Sequence, residues 1–195
     1  MSEMSERDLR IVTAAFRLFA HYGVGKTSMA EIATESGVAR QTVYNAFDGK
    51  EDLVFAALLH YAGKSAADVA RDCDGVADLP GRLEILFRHL AEVPFEAMQR
   101  LPHLDEILEV GEGLSEERRM EIRELYVGAI RMVLAPHERD FERHGVALEC
   151  LAELLKGVLT TVKREARDNG HLRDLFEPAK ALIVGCVREQ TACPR

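Results

Sequence analysis

The sequence has no surplus of positive charge. Its 25 Lys and Arg face 33 Asp and Glu, a net charge of −8, which excludes a protein that holds nucleic acid by bulk charge alone. The acid is unevenly placed. Residues 1–50 hold six basic and six acidic side chains, so the excess lies downstream. Cysteine is sparse. Cys73, Cys150, Cys186 and Cys193 show no CxxC and no Cys/His ligand spacing, so free thiols are expected and neither a metal site nor a disulfide framework is. No apolar run reaches the roughly 18 residues of a membrane span, and the opening MSEMSERD is polar with no signal-peptide pattern. A cytoplasmic protein with no membrane partner is expected. Nor is there a Ser or Cys nucleophile with a local base, a Gly-rich phosphate loop or a Walker motif. No enzyme and no cofactor are therefore expected.

What is present is helical periodicity. Of 195 residues 47% are hydrophobic, ample for a core, and no stretch shows convincing strand alternation. The expected fold is all-α, about nine helices. The first runs from about Ser5 to His21 and ends at Gly23 and Gly25. Ser28 with Glu31 fits a capping box at the start of the second, with Thr27 as a competing cap. Asp48, with Glu51 at the reciprocal position, caps a fourth helix over about Lys50–Asp72. A fifth begins near Leu79-Pro80 and is kinked or ended by Pro94. Pro102 opens a short helix to about Val110, and Ser115 caps a long one to about Leu134. Pro136 to Gly145 reads as a polar connection. A helix over about Val146–Asp168 stops at Asn169-Gly170 in an αL turn, with Leu172 making the Schellman contact. The last helix spans about Arg173–Glu189.

The third helix is reached through MAEIATESGVARQTVYNAFD, residues 29–48. Met29, Ile32 and Ala33 share one face, Gly37 permits a left-handed turn, and Val38, Val43 and Phe47 point inward. Ala33, Gly37 and Val43 lie four and then six residues apart. That spacing suits a helix-turn-helix over about residues 28–47, in which a small residue lets two helices cross closely. Arg and Gln at positions 40 and 41 are side chains able to reach guanine and adenine edges in a major groove.

Over residues 11–53 the chain resembles the TetR family of bacterial transcriptional regulators. The matching pieces are AAFRLFAHYG and TSMAEIATESGVARQTVYNAFDGKEDL. The resemblance implies a DNA-binding domain over residues 1–49 and a regulatory, dimerising domain over 50–195. It gives Thr27, Tyr44 and Lys50 to the phosphate backbone, and Arg40, Gln41 and Thr42 to bases or nearby phosphates. There are departures: Ala39 stands where a capping serine is usual, and Asn45-Ala46 where Tyr-His is usual. Ala46 has no imidazole for a phosphate, whereas Asn45 remains able to reach a base or phosphate.

The resemblance also implies a ligand pocket between the fourth and seventh expected helices. Phe55, Leu59, Phe87, Leu90, Met98, Met120, Tyr126 and Ile130 offer an apolar lining for a small, largely apolar organic ligand, though each also suits an ordinary core. In the last two helices, Leu148, Leu151, Leu155, Val158 and Val162 repeat at steps of three and four, followed by Leu175, Ala179, Leu182 and Cys186. Each helix carries a mid-helix glycine, Gly157 or Gly185, which costs about 1 kcal/mol against Ala. A close partner helix would justify that cost, and these residues are expected to form a four-helix dimer interface. The function expected is a ligand-responsive repressor that binds a palindromic operator as a homodimer. The alternative is a DNA-binding structural or cell-division factor with no inducer.

Overall fold

The computed structural model describes residues 4–188, and these form eleven α-helices with no strand among them. In chain order they are α1 (Glu6–Tyr22), α2 (Met29–Ser36), α3 (Arg40–Ala46), α4 (Lys50–Asp72), α5 (Leu79–Phe87), α6 (Val93–Arg100), α7 (Leu104–Glu112), α8 (Glu116–Leu134), α9 (Glu138–Arg143), α10 (Leu148–Glu165) and α11 (Asn169–Arg188). Glu189 and Cys193 lie outside the described residues. The chain divides into two compact units. One comprises the residues up to Ala62 with Ala97–Ile122, the other Gly63–Glu96 with the chain from Arg123 onward. That grouping is drawn differently from a division at residue 49, because α7 packs with α1 and the start of α8 with the first part of α4.

In the first unit the core is Ile11, Val12, Ala15 and Phe19 of α1, Met29, Ile32 and Ala33 of α2, Val43 of α3, Leu53 and Val54 of α4, and Ile107 of α7. Val38 and Phe47 pack against it half-buried. Gly37 adopts φ 69°, ψ 31°, the left-handed turn that lets α3 fold back across α2. Ser28, not Thr27, caps α2, in a complete capping box with Glu31. At the start of α4 the expected Asp48–Glu51 reciprocity is replaced. The Asp48 N–H donates to Asp52 Oδ2 at 2.9 Å, and Asp52 also pairs with Arg118 of α8. Burial works against the Asp52 charge, but the bonds from Arg118 and the Asp48 N–H outweigh it and hold its pKa below the usual carboxylate value.

The second unit is built on Leu83, Leu86, Phe87, Leu90, Ile130, Val133, Phe141, Leu155, Leu159 and Phe176. Phe87 stacks on Phe176 with centroids 4.5 Å apart. Pro94 neither ends nor breaks the helical path. A π-helical turn over Arg88–Glu92 precedes α6, and the Val93 N–H bonds back to Arg88 O. Such a wide turn eases the ring of a following proline past the preceding carbonyls. The polar connection at 136–145 hides a short helix, α9, whose Phe141 is fully buried. One large apolar residue in six is too little to show as a period.

Asn169-Gly170 does not stop α10. That helix ends at Glu165 with Ala166 extended, and Gly170 is not among the glycines at positive φ. Asp168 instead opens α11, its carboxylate accepting from the His171 N–H at 2.8 Å. Leu172 is fully buried in the second core rather than closing a Schellman turn.

Part of the expected dimer seam faces inward. Leu148, Leu155 and Val162 are buried in their own chain's core, and Leu151, Val158, Leu175 and Cys186 pack against it half-buried. Ala179 is also half-buried, and of the nine seam residues Leu182 alone is exposed.

Asp168→Ala should lower unfolding stability by about 1 kcal/mol, and Asp168→Asn by only a small part of that, since both carboxylate and amide cap. Urea unfolding checks this; equal loss for both would remove the capping assignment.

Candidate DNA-binding interface

The candidate recognition surface is the outer side of α3. Val43 anchors the helix in the first core, while Arg40, Gln41, Tyr44, Asn45 and Ala46 are exposed and Thr42 is half-buried. The side chains are organised in pairs one turn apart. Arg40 Nη2 donates to Tyr44 Oη at 3.3 Å, and its guanidinium lies 5.4 Å from the centre of the Tyr44 ring. Gln41 Nε2 donates to Asn45 Oδ1 at 2.9 Å. These i,i+4 contacts limit rotamer freedom before any partner arrives. Ala39 occupies the N-cap and makes no side-chain cap, as its residue type dictates.

Two expected phosphate contacts are otherwise occupied. Thr27 is buried, and its hydroxyl donates to Gly23 O at 2.9 Å. It closes the turn before α2, and its hydroxyl hydrogen is already given to Gly23 O. Lys50 is half-buried, and its ammonium donates to Val24 O at 2.7 Å and Gly25 O at 3.1 Å. An ammonium has three N–H donors, so one remains for a phosphate.

The N-terminus of α2 carries its own anion. Glu31 Oε2 accepts from the Ser28 N–H at 2.7 Å and from its hydroxyl at 2.8 Å. Those two bonds, the backbone one foremost, hold the Glu31 pKa below its ordinary value. Lys26, given no role from sequence, is exposed just ahead of this cap. It was overlooked because an isolated lysine in a glycine turn has no pattern to mark it.

The turn that sets the angle between α1 and α2 is held from outside. Glu106 of α7 accepts from the Val24 N–H at 3.0 Å, and its other oxygen meets His103 Nδ1 at 2.9 Å. Gly23 sits at φ 90°, and a Cβ there would meet the Glu106 carboxylate oxygens at 2.7 and 2.8 Å. Only glycine accommodates both the conformation and the approach.

Residues 11–57 match the model of the bacterial regulatory proteins of the tetR family. Those residues form an N-terminal domain of the TetR family. It is 29% identical over 160 residues to the HTH-type transcriptional regulator TtgR of Pseudomonas putida, covering 75% of this chain and 76% of that one. It is 28% identical over 192 residues to the HTH-type transcriptional regulator YerO of Bacillus subtilis, with 93% of this chain covered and 63% of YerO. In fold it is similar to the transcriptional regulator FadR of Bacillus subtilis in complex with stearoyl-CoA, with a TM-score of 0.63, 17% identity, and coverage of 92% and 99%. With this TetR-family N-terminal domain, the chain is a DNA-binding transcriptional regulator. Among its described residues no helix is long and apolar enough to cross a membrane.

The eight expected pocket residues are not gathered in either unit. Phe55, Leu59, Met98 and Met120 fall in the first, and Phe87, Leu90, Tyr126 and Ile130 in the second. Met98 and Met120 are exposed at 40% and 48%, whereas Phe87, Leu90 and Ile130 are buried core. Phe55 lies under the Arg118 guanidinium, 4.9 Å away.

Gly23→Ala should destabilise the protein by about 1–2 kcal/mol, because alanine is strained at positive φ. Gly25→Ala should be close to neutral, since nothing lies within 4 Å of its added carbon. Thermal unfolding of the two variants checks the contrast; equal loss would mean the turn is not held as described.

Proposed function

We propose that this regulator is a ligand-responsive repressor, cytoplasmic and without catalytic activity of its own, that acts as a homodimer on a palindromic operator. The observation that carries the reading is the α3 surface. It is anchored from within by Val43 and presents Arg40, Gln41, Tyr44 and Asn45 outward in ordered pairs. Gln41 and Asn45 carry amides able to read adenine, and Arg40 a guanidinium able to read guanine. Tyr44, with Lys26 and the remaining donor of Lys50, supplies backbone contacts.

A single such helix grips weakly, and the second unit offers the means to pair two. Cys150, Leu154, Gly157 and Thr161 form one exposed face of α10, and Pro178, Leu182 and Gly185 one of α11. Leu154 and Leu182 are exposed at 65% and 75%. No atom lies within 4 Å of a carbon added at Gly157 or Gly185. Glycines at exposed mid-helix positions beside exposed leucines suit a close helix crossing with a second copy. Two recognition helices held about 34–36 Å apart would then enter successive major grooves.

Ligand response fits the second unit's size and the stearoyl-CoA complex of the FadR neighbour. α4 and α8 are each unbroken and each contributes to both units, so a shift of either in the second unit is felt in the first. To weaken operator binding 100-fold, a ligand must prefer the non-binding state by about 2.7 kcal/mol. Operator release by added metabolites, measured with a sequence selected from random DNA, tests this. Binding unaffected by any of them would favour a structural DNA-binding role.

Tyr44→Phe should weaken all operators alike, by about fivefold for one lost hydrogen bond. Gln41→Ala should change the preferred base at one position, with about 1–3 kcal/mol lost on the best site. An unchanged consensus from the Gln41 variant would remove its base-reading role.

The paired substitution Leu154→Glu with Leu182→Glu should yield folded monomers with poor operator affinity. Sedimentation that still shows a dimer would refute the interface.

A further inference from the structure

The second unit holds cations that its own carboxylates do not neutralise. Arg123 of α8 pairs with Glu153 of α10 through a terminal guanidinium nitrogen. Its Nε is buried with no hydrogen-bond partner among the described residues. Lys156 follows Glu153 by about one turn of α10, and Lys163 follows Lys156 by about two, on the same side of the helix. The Arg123 charge acts on Lys156, and that of Lys156 on Lys163. Among the described residues neither lysine has an ion-pair or hydrogen-bond partner. Both are half-buried beside the buried stripe of Ala152, Leu155 and Leu159.

A solvated charged face would not behave this way. Burial first, and Lys156 second, bring the Lys163 pKa down from 10.5 to about 8. An ammonium withdrawn from water beside other cations is destabilising unless something anionic completes it. A methionine would fill the same space without that cost. The group also has the right donors in hand: a guanidinium N–H with nothing to bond, and two ammonium groups able to turn toward one point.

We propose that Arg123, Lys156 and Lys163 form the seat for the oxyanion head, carboxylate or phosphate, of a ligand whose remainder is apolar. The inference rests on the ligand-responsive reading and names the ligand's chemical class. The head takes the unpaired N–H of Arg123 and the two ammonium groups. The apolar body lies along the methylene stems of the two half-buried lysines.

The test uses the intact protein and four probes below their micelle concentrations: decanoate, decyl phosphate, 1-decanol and inorganic phosphate. Thermal shift and calorimetric titration are read on the original protein and on Lys156→Met, Lys163→Met and Lys163→Arg. One of the two amphiphilic anions is expected to raise Tm where 1-decanol does not. Lys163→Met should bind that anion at least tenfold more weakly while unfolding no earlier without it, and Lys163→Arg should retain binding. Failure of both amphiphilic anions, or unchanged binding by both methionine variants, would overturn the seat. Inorganic phosphate binding as tightly as decyl phosphate would overturn the apolar body. Operator release is followed in parallel. Release by 1-decanol alone would sink the anion seat and keep ligand response; lysine-dependent anion binding without release would keep the seat and sink ligand response.

Discussion

The position of the recognition helix depends on how one short turn is held. Between α1 and α2 the Gly23 N–H still bonds back to Phe19 O of α1, but the peptide groups that follow have no helix or sheet of their own. Thr27 takes Gly23 O, Glu106 takes the Val24 N–H, and Lys50 takes Val24 O and Gly25 O. Backbone groups withdrawn from water must be bonded somewhere, and here an acid and a base from two other helices do it. The turn fixes where α2 starts. Gly37 then fixes how α3 departs from α2, and Val43 seats α3 in the core. The reading surface is thus set by a carboxylate on α7 and an ammonium on α4, neither of which belongs to the helix-turn-helix motif itself.

This explains what could be read from the sequence and what could not. The motif was legible because its constraints are local. A capping box spans four residues, a left-handed glycine acts within one turn, and a face of Met29, Ile32 and Ala33 shows its own period. The duties of Thr27 and Lys50 were not legible, because their partners are backbone atoms brought close only by folding. Glu106 could not have been picked out either, for its partner lies 82 residues away. Asn169-Gly170 misled for a related reason. The pair commonly ends a helix, yet Asp168 just before it makes an equally good start, and only the packing of Leu172 and Phe176 decides between them.

The face of α10 shows a different failure. Leu148, Leu155 and Val162 make the richer stripe, and the unit uses it for its own core. The poorer stripe of Cys150, Leu154, Gly157 and Thr161 is the one left open. On the proposed dimer, α10 would serve both its own chain and a second copy, and the interior claims the bulkier residues because it must be filled without voids. An intersubunit crossing needs less bulk and a closer approach. On the proposed interface the mark is the glycine, which sits three residues beyond Leu154 just as Gly185 sits three beyond Leu182. A mid-helix glycine with open space around it weakens a helix for no gain inside the chain.

The two units differ in the cations they leave over, although the second also pairs Arg131, Arg173 and Lys180 with carboxylates. In the first, Arg17 pairs with Glu35, Arg118 with Asp52, and Lys50 is turned onto carbonyls. Glu31 even places a carboxylate at the start of α2. Few charges are left to draw in DNA of any sequence, so on the proposed reading non-specific affinity falls and the few side chains on α3 carry a larger share of the discrimination. In the second unit Lys156 and Lys163 stay unpaired on a chain that is acidic overall. With so many carboxylates available, leaving two half-buried lysines beside an arginine without them is a selective arrangement. Neutralising them would have stabilised the fold. Keeping them open reserves their charge for something that comes and goes.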